Sequence, residues 1–282
     1  MSVLACIDRS RYSESVCDHA AWAAGRLQTS VELLHAIEHH PDLLPVDHRG
    51  RLGMDTGEEL LRELSLIDDQ RNRLAQESGR QLLDEAARRV HEAGGVKVTQ
   101  RLGHGDLADN LRDHHARARI VTIGKRGESH ERATAPLGGN LERVIRANRL
   151  PVLIAAEAFR PVERFLFAYD GGKSTGEAVN FLVRNELLHQ ARGHVLMVGR
   201  GGGVEATRQA DAVRHLRSAG LEVTDAIIEG EPAQAIGDAV TGGDWDLLVM
   251  GAYGHSRIRR FMIGSTTTEV MQTCPTSMLV FH

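Results

Sequence analysis

Short, nearly unbroken apolar runs alternate along this chain with stretches whose apolar residues return every three or four positions. The first run, residues 2–7, ends at Asp8 and has the continuous pattern of a strand buried on both faces. Residues 13–27 then place Val16, Ala20, Ala23, Ala24 and Leu27 on one helical stripe, and 31–37 is a second run. Strand, helix and strand in close succession form a βαβ unit, which implies a parallel sheet. Further strands are expected at 96–102, 120–123 and 151–154, with helices opening at Gly105-Asp106 and ending near Ala147. Between the second and third strands, Pro41, Pro45 and a Gly-Arg-Leu-Gly turn predict an irregular loop. Thr56 with Glu59 has capping-box spacing. From there Leu60, Leu64, Ile67, Leu74, Leu82, Ala86 and Val90 extend one stripe to Gly94-Gly95, predicting one long or once-broken helix. It can cover its own sheet or dock a protein partner through the 39–93 insertion.

The same order returns after a short linker interrupted by Pro161. Residues 165–169 end at Asp170 as the first run ends at Asp8; 247–251 echo 120–124, and 277–280 fall where 151–154 fall. Only the 39–93 insertion lacks a counterpart. The chain therefore reads as one βαβαβαβαβ module used twice, with boundaries at 1–157 and 158–282. The expected architecture is α/β: two five-stranded parallel sheets with helices on both faces, side by side about a pseudo-twofold axis.

Composition narrows the function classes. Hydrophobic residues make up 41% and charged residues 26% of the 282, an ordinary globular balance. A net charge of −4 offers no general attraction to nucleic acid or an anionic membrane, and 4% aromatics supply few base-stacking platforms. No run approaches the ~20 apolar residues of a membrane span, and no signal peptide precedes the first strand. Cys6, Cys17 and Cys274 form no CxxC pair. These features predict a cytoplasmic protein in a reducing compartment, with Cys6 a buried thiol.

The chemistry concentrates where the run through Met250 meets Gly251-Ala252-Tyr253-Gly254, followed after nine residues by Gly264-Ser265-Thr266-Thr267-Thr268. Glycine lets backbone approach an anion, a helix N-terminus offers unpaired N–H groups, and hydroxyls add donors. Arg257, Arg259 and Arg260 add positive charge between the two halves. An ordinary strand–loop–helix connection is the plainer alternative. Asp170 stands at the carboxyl end of its strand, where open α/β sheets bind ligands, and is equally suited to cap the helix near Lys173. Gly171-Gly172-Lys173-Ser174-Thr175 is not a P-loop, because Phe167 occupies the position of its first glycine. The fifteen histidines show no HExxH or Cys/His ligand spacing.

Gly-x2-Gly-x9-Gly-Ser, carried by Gly251, Gly254, Gly264 and Ser265, resembles the nucleotide-binding signature of the ATP-binding branch of the universal stress protein family. The internal repeat extends that resemblance over nearly the whole chain. It implies an adenine-nucleotide alpha-hydrolase-like, Rossmann-like fold and a stress-associated role. It also implies ATP, with Mg²⁺ arriving on the phosphates. Gly251, Gly254, Gly264, Ser265 and Thr266 would hold phosphates and ribose, Asp170 would face the nucleoside, and backbone at Val198, Gly199 and Met250 would border it. Single-module members commonly dimerise through the fifth strand. A tandem chain can make that pairing internally, 152–154 against 278–281, and a homodimer of the whole chain also fits. In the first module ten residues separate Gly127 from Gly138, and Gly139-Asn140 replaces Ser265-Thr266, which predicts weak or no nucleotide there, while Lys125 and Arg126 leave a residual anion site open. Asp170-Gly171-Gly172-Lys173-Ser174 also loosely matches the Ser-Gly-Gly-x-Asp-Ser loop of ATP pyrophosphatases, without its first Ser and later Asp. An ATP-pyrophosphatase-type enzyme and a nucleotide-free interaction module are the alternatives. With no positioned base in view, any hydrolysis is expected to be slow.

Overall fold

The computed structural model describes residues 1–37, 54–112, 117–128, 139–252 and 263–282, with side chains in the longest helix from Ser65 onward. The first half runs β1 (Ser2–Cys6), α1 (Ser13–Arg26), β2 (Ser30–Ile37), α2 (Met54–Gly94), β3 (Val98–His104), α3 (Leu107–Arg112), β4 (Ala118–Gly124), α4 (Gly139–Ala147) and β5 (Val152–Ala155). The second runs β6 (Arg164–Ala168), α5 (Lys173–Arg184), β7 (Arg192–Val198), α6 (Gly203–Ser218), β8 (Glu222–Ile228), α7 (Pro232–Gly242), β9 (Leu247–Gly251), α8 (Ser265–Thr273) and β10 (Ser277–Phe281).

The ten strands form one sheet in the order β3-β2-β1-β4-β5-β10-β9-β6-β7-β8. Neighbours within each module pair in parallel. At the junction β5 and β10 run antiparallel, with Met278 opposite Ile154, Leu279 opposite Leu153 and Val280 opposite Val152. The expected internal pairing of the fifth strands is therefore present, and it seals two edges that would otherwise be open. The outer edges, β3 and β8, carry Gln100, Arg101, Glu222 and Asp225, which discourage further strand addition.

Burial on both faces explains the continuous apolar runs. Val3, Ala5, Phe165 and Phe167 enter one core with α1, α2, α5 and α6; Leu4, Cys6, Leu166 and Ala168 enter another with α3, α4, α7 and α8. Each core passes uninterrupted from one module into the other. The long stripe read from sequence divides along α2. Leu82, Leu83, Ala86 and Val90 are in the core, whereas Leu66, Ile67 and Leu74 stand exposed at 63%, 53% and 66%. The helix is unbroken over its 41 residues. Its inner part is clamped to α1 by Arg89, whose Nε and Nη2 donate to both oxygens of Asp18 while Nη1 donates to Glu14.

A buried polar knot joins the modules. His19 Nδ1 lies 2.7 Å from the Ser15 carbonyl, which only accepts, so Nδ1 carries the proton. Nε2 then accepts from Ser277 Oγ at 2.8 Å, and that oxygen accepts from Ala156 N. The ring is neutral and satisfied on both nitrogens. Burial pushes its pKa below 6.5, with the Ser15 carbonyl and Asp18 opposing. The unfolded chain therefore takes up this proton first, and stability is lost as pH falls through about 6.5. Between about pH 7.5 and 5.5 the melting temperature should fall more for the native chain than for His19→Gln, which keeps an amide partner but cannot titrate. Equal losses would show that His19 is not the source.

Candidate functional site

From β6 the chain builds β7 and β8 on one side, then crosses to β9 on the other. The carboxyl ends of β6 and β9 therefore border a topological switch point, the usual ligand crevice of an open parallel sheet. Ala168 pairs with Met250 across it and with Leu196 on the other flank. Asp170 follows β6, Val198 and Gly199 close β7, Met250 and Gly251 close β9, and Gly264 is the N-cap of α8, which begins at Ser265 and Thr266.

Asp170 is not the N-cap that sequence allowed; Gly172 is. Asp170 Oδ1 instead accepts from Gly172 N at 2.8 Å and from Thr175 Oγ1 at 2.6 Å. The short acidic side chain bonds backbone two residues ahead, which turns the chain tightly into α5 and fixes the carboxylate at the sheet edge. A Cβ at Gly172 would lie 2.9 Å from that same oxygen.

Gly251 is required by packing. A Cβ there would lie 2.9 Å from Ser174 Cβ and 3.4 Å from Thr175 Cγ2, so the end of β9 presses on the first turn of α5. Its carbonyl accepts from Thr267 Oγ1 at 3.0 Å, and Gly264 N donates to Ala252 O. These two bonds seat the start of α8 on the end of β9. Thr268 N returns to Gly264 O, which leaves the first-turn amides of Ser265, Thr266 and Thr267 without an intrahelical acceptor. Ser265 is exposed and Thr266 half-buried, so both hydroxyls are near solvent at the positively polarised end of a helix.

Met250 has its side chain in the core and offers the crevice only backbone. At β7, a Cβ on Gly199 would lie 2.9 Å from Glu205 Oε2, which brings an acidic group of α6 to the rim. Arg208, also on α6, sits 3.3 Å through Cδ from the Cβ position of Gly171. Glu205 and Arg208 were not singled out from sequence, and Thr267 was read only as one hydroxyl of the 264–268 cluster. Thr175 was legible only as an unmatched P-loop residue, and the α6 pair depends on how that helix crosses the sheet edge. Gly254, His255, Arg257, Arg259 and Arg260 lie outside the described residues. No cluster of three or more His, Cys, Asp or Glu able to hold a metal occurs among the described residues.

The corresponding edge of the first module is built differently. Asp8 Oδ1 accepts from Ser10 N, and Oδ2 accepts from Glu128 N at 3.0 Å. The loop after β4 thus folds onto the carboxylate, and a Cβ at Gly127 would lie 2.9 Å from Oδ2. Behind it is a cavity of about 360 Å³ with an apolar floor from Cys6, Ile7 and Ile123, bordered by Arg126 and by Ser78 of α2. Arg9 Nη2 donates to Ser78 and holds the helix over this edge. Burial pushes the Cys6 thiol up to about 12, so it is inert as a nucleophile.

Comparison with known proteins agrees with this architecture. The model of the universal stress protein family matches twice, over residues 1–156 and 161–282. A universal stress protein of Synechocystis sp. is 31% identical over 285 residues, covering 100% of this chain and 99% of that one. Among solved structures, a universal stress protein from Archaeoglobus fulgidus DSM 4304 superposes with a TM-score of 0.73 at 20% identity, over 99% of this chain and 97% of its own. A chain from Pseudomonas aeruginosa UCBPP-PA14, described as a putative universal stress protein, gives 0.61 at 17% identity over 99% and 92%. With two family matches in tandem and a full-length relative, this chain belongs to the universal stress protein family in its two-module form.

Proposed function

We propose that the second module binds ATP at the crevice between β6 and β9, and that the chain is an ATP-responsive regulatory protein of the stress response. The observation that carries the reading is the seating of α8. Residues spaced as Gly-x2-Gly-x9-Gly-Ser span the end of β9 and the start of a helix whose first-turn amides and hydroxyls are available to an anion. Gly251, Gly264, Ser265 and Thr266, with Gly254, are assigned to phosphates and ribose. The Asp170 carboxylate is assigned to the nucleoside, bordered by backbone at Val198, Gly199 and Met250. Mg²⁺ would arrive with the phosphates, since the described residues supply no carboxylate cage.

The first module is assigned little or no nucleotide. Its Asp8 is engaged by Glu128 N, and Gly139-Asn140 stands where the second module has Ser265-Thr266. We take the modules as 1–157 and 158–282. No helix among the described residues is long and apolar enough to cross a membrane, and a cytoplasmic location fits the reading. The exposed Leu66, Ile67 and Leu74 on α2 favour a second role, docking of a protein partner on that insertion, and pairing of whole chains is also open to it.

Calorimetric titration of the intact chain with Mg·ATP, followed by product analysis of labelled ATP, tests the proposal. About one site per chain with little or slow hydrolysis is expected. Two sites would reverse the assignment of the first module, and pyrophosphate release would identify an ATP-pyrophosphatase type of enzyme. No binding at millimolar ATP would overturn the nucleotide reading and leave the interaction role of α2.

A further inference from the structure

Helix α8 is held at its two ends by different modules. Its start is seated on β9 through Thr267 Oγ1 to Gly251 O and Gly264 N to Ala252 O. Its end is closed from the first module. Lys125, immediately after β4, reaches across the β5–β10 junction, and its Nζ donates to the carbonyl of Cys274, the C-cap of α8, at 2.6 Å. A helix C-terminus leaves carbonyls without partners and is negatively polarised, so an ammonium there both satisfies a group and favours the dipole.

The pseudo-symmetric position lacks this device. Lys125 N donates to Ala155 O at the end of β5 as Ala252 N donates to Phe281 O at the end of β10, so Ala252 is the structural counterpart of Lys125. Alanine has nothing with which to reach α4. After that helix Asn148 N donates to Val144 O, and the Asn148 side chain turns the chain locally, donating to Leu150 O and accepting from Leu150 N. Among the described residues, the bond from Lys125 to the end of α8 thus has no counterpart from Ala252 to the end of α4.

The same loop lies against the first-module cavity. Gly124, Arg126 and Gly127 line it, and Glu128 N is pinned to Asp8. Burial depresses the pKa of Lys125, and the side chain holds a half-buried position despite that cost.

We propose that Lys125 is a positioning residue for the second-module site: it anchors the far end of α8 and couples the conformation of the first-module loop 124–128 to the phosphate-facing turn at 264–267. The nucleotide part of this inference rests on the proposed function; the mechanical part does not.

The test uses the full chain and three variants. Lys125→Met removes the donor and keeps the aliphatic bulk. Lys125→Arg restores a cation and donors. Arg126→Ala alters the same loop on its cavity side. Backbone hydrogen exchange over 264–273 is measured without ligand, beside calorimetric titration with Mg·ATP. Lys125→Met should lose protection at the start of α8 as well as at its end and bind Mg·ATP roughly five- to tenfold more weakly. Lys125→Arg should return toward native behaviour on both, and Arg126→Ala should leave both unchanged. Native exchange at 264–268 and native affinity in Lys125→Met would overturn the proposal. Equal loss in Arg126→Ala would also overturn it, by showing that the effect does not run through the Lys125 bond to Cys274. If the native chain does not bind Mg·ATP, the nucleotide reading falls, and the exchange measurement alone decides the coupling.

Discussion

Gly193→Val should be the most destabilising single substitution considered for this protein, costing about 3 kcal/mol or more. Gly193 lies on β7 opposite Phe165 of β6, and the Phe165 ring covers it. A Cβ built at Gly193 would meet Phe165 Cζ and come within 2.7 Å of both Cε atoms. The ring cannot retreat, because Phe165 is 0% exposed and surrounded by the core shared with α5 and α6. Glycine thus lends its missing side chain as space for the neighbouring ring, a recognised device for placing glycine in a strand. Urea unfolding followed by circular dichroism should show a midpoint roughly 1 M lower than native. Gly193→Ala should be affected less but still measurably, since even the first carbon meets the ring. A native midpoint for the valine variant would mean that the ring does not cover Gly193.

Ser265→Glu should separate stability from nucleotide binding. The position is exposed and opens α8, so a longer side chain fits. An acidic group in a first turn interacts favourably with the helix dipole by about 0.3–1 kcal/mol. The melting temperature should therefore be unchanged or slightly raised. The same charge faces the anion assigned to this turn. A like-charge pair about 4 Å apart costs about 1 kcal/mol in water and about 4 kcal/mol at an effective dielectric of 20. A loss of at least roughly tenfold in Mg·ATP affinity follows. A variant that merely loosened the fold would lose both properties together, so the split is diagnostic. Unaltered ATP binding would remove Ser265 and its turn from the phosphate site.

Much of this architecture was readable because its chemistry is local. Strands buried on both faces require uninterrupted apolar runs, and residues 2–6 and 165–168 supply them in both modules. The family resemblance, applied to a tandem chain, implied the internal pairing of 152–154 with 278–281, and the structure adds its antiparallel sense. What escaped the sequence depends on distant neighbours. The α2 stripe is equally apolar at Leu74 and Leu82, yet only the second meets the sheet. Gly251 reads as a phosphate glycine, whereas Ser174 and Thr175 give it an independent steric reason to be glycine. Asp170 was equally compatible with capping α5; the observed bonds to Gly172 and Thr175 depend on the turn's exact path. Lys125 reads from sequence as a cation for an anion, and its bond to Cys274 has no local signal, because that acceptor is 149 positions away in the chain.

The antiparallel junction has a consequence for how the chain is made. β5 completes the first module's sheet at residue 155, but its partner strand does not begin until residue 277. At a typical elongation rate of about 5–20 residues per second, several seconds or more separate the two events. Throughout that interval Val152, Leu153 and Ile154 present an unpaired apolar edge, the kind of template on which nascent chains associate. A ribosome stalled anywhere in the second module would leave that edge without its partner strand.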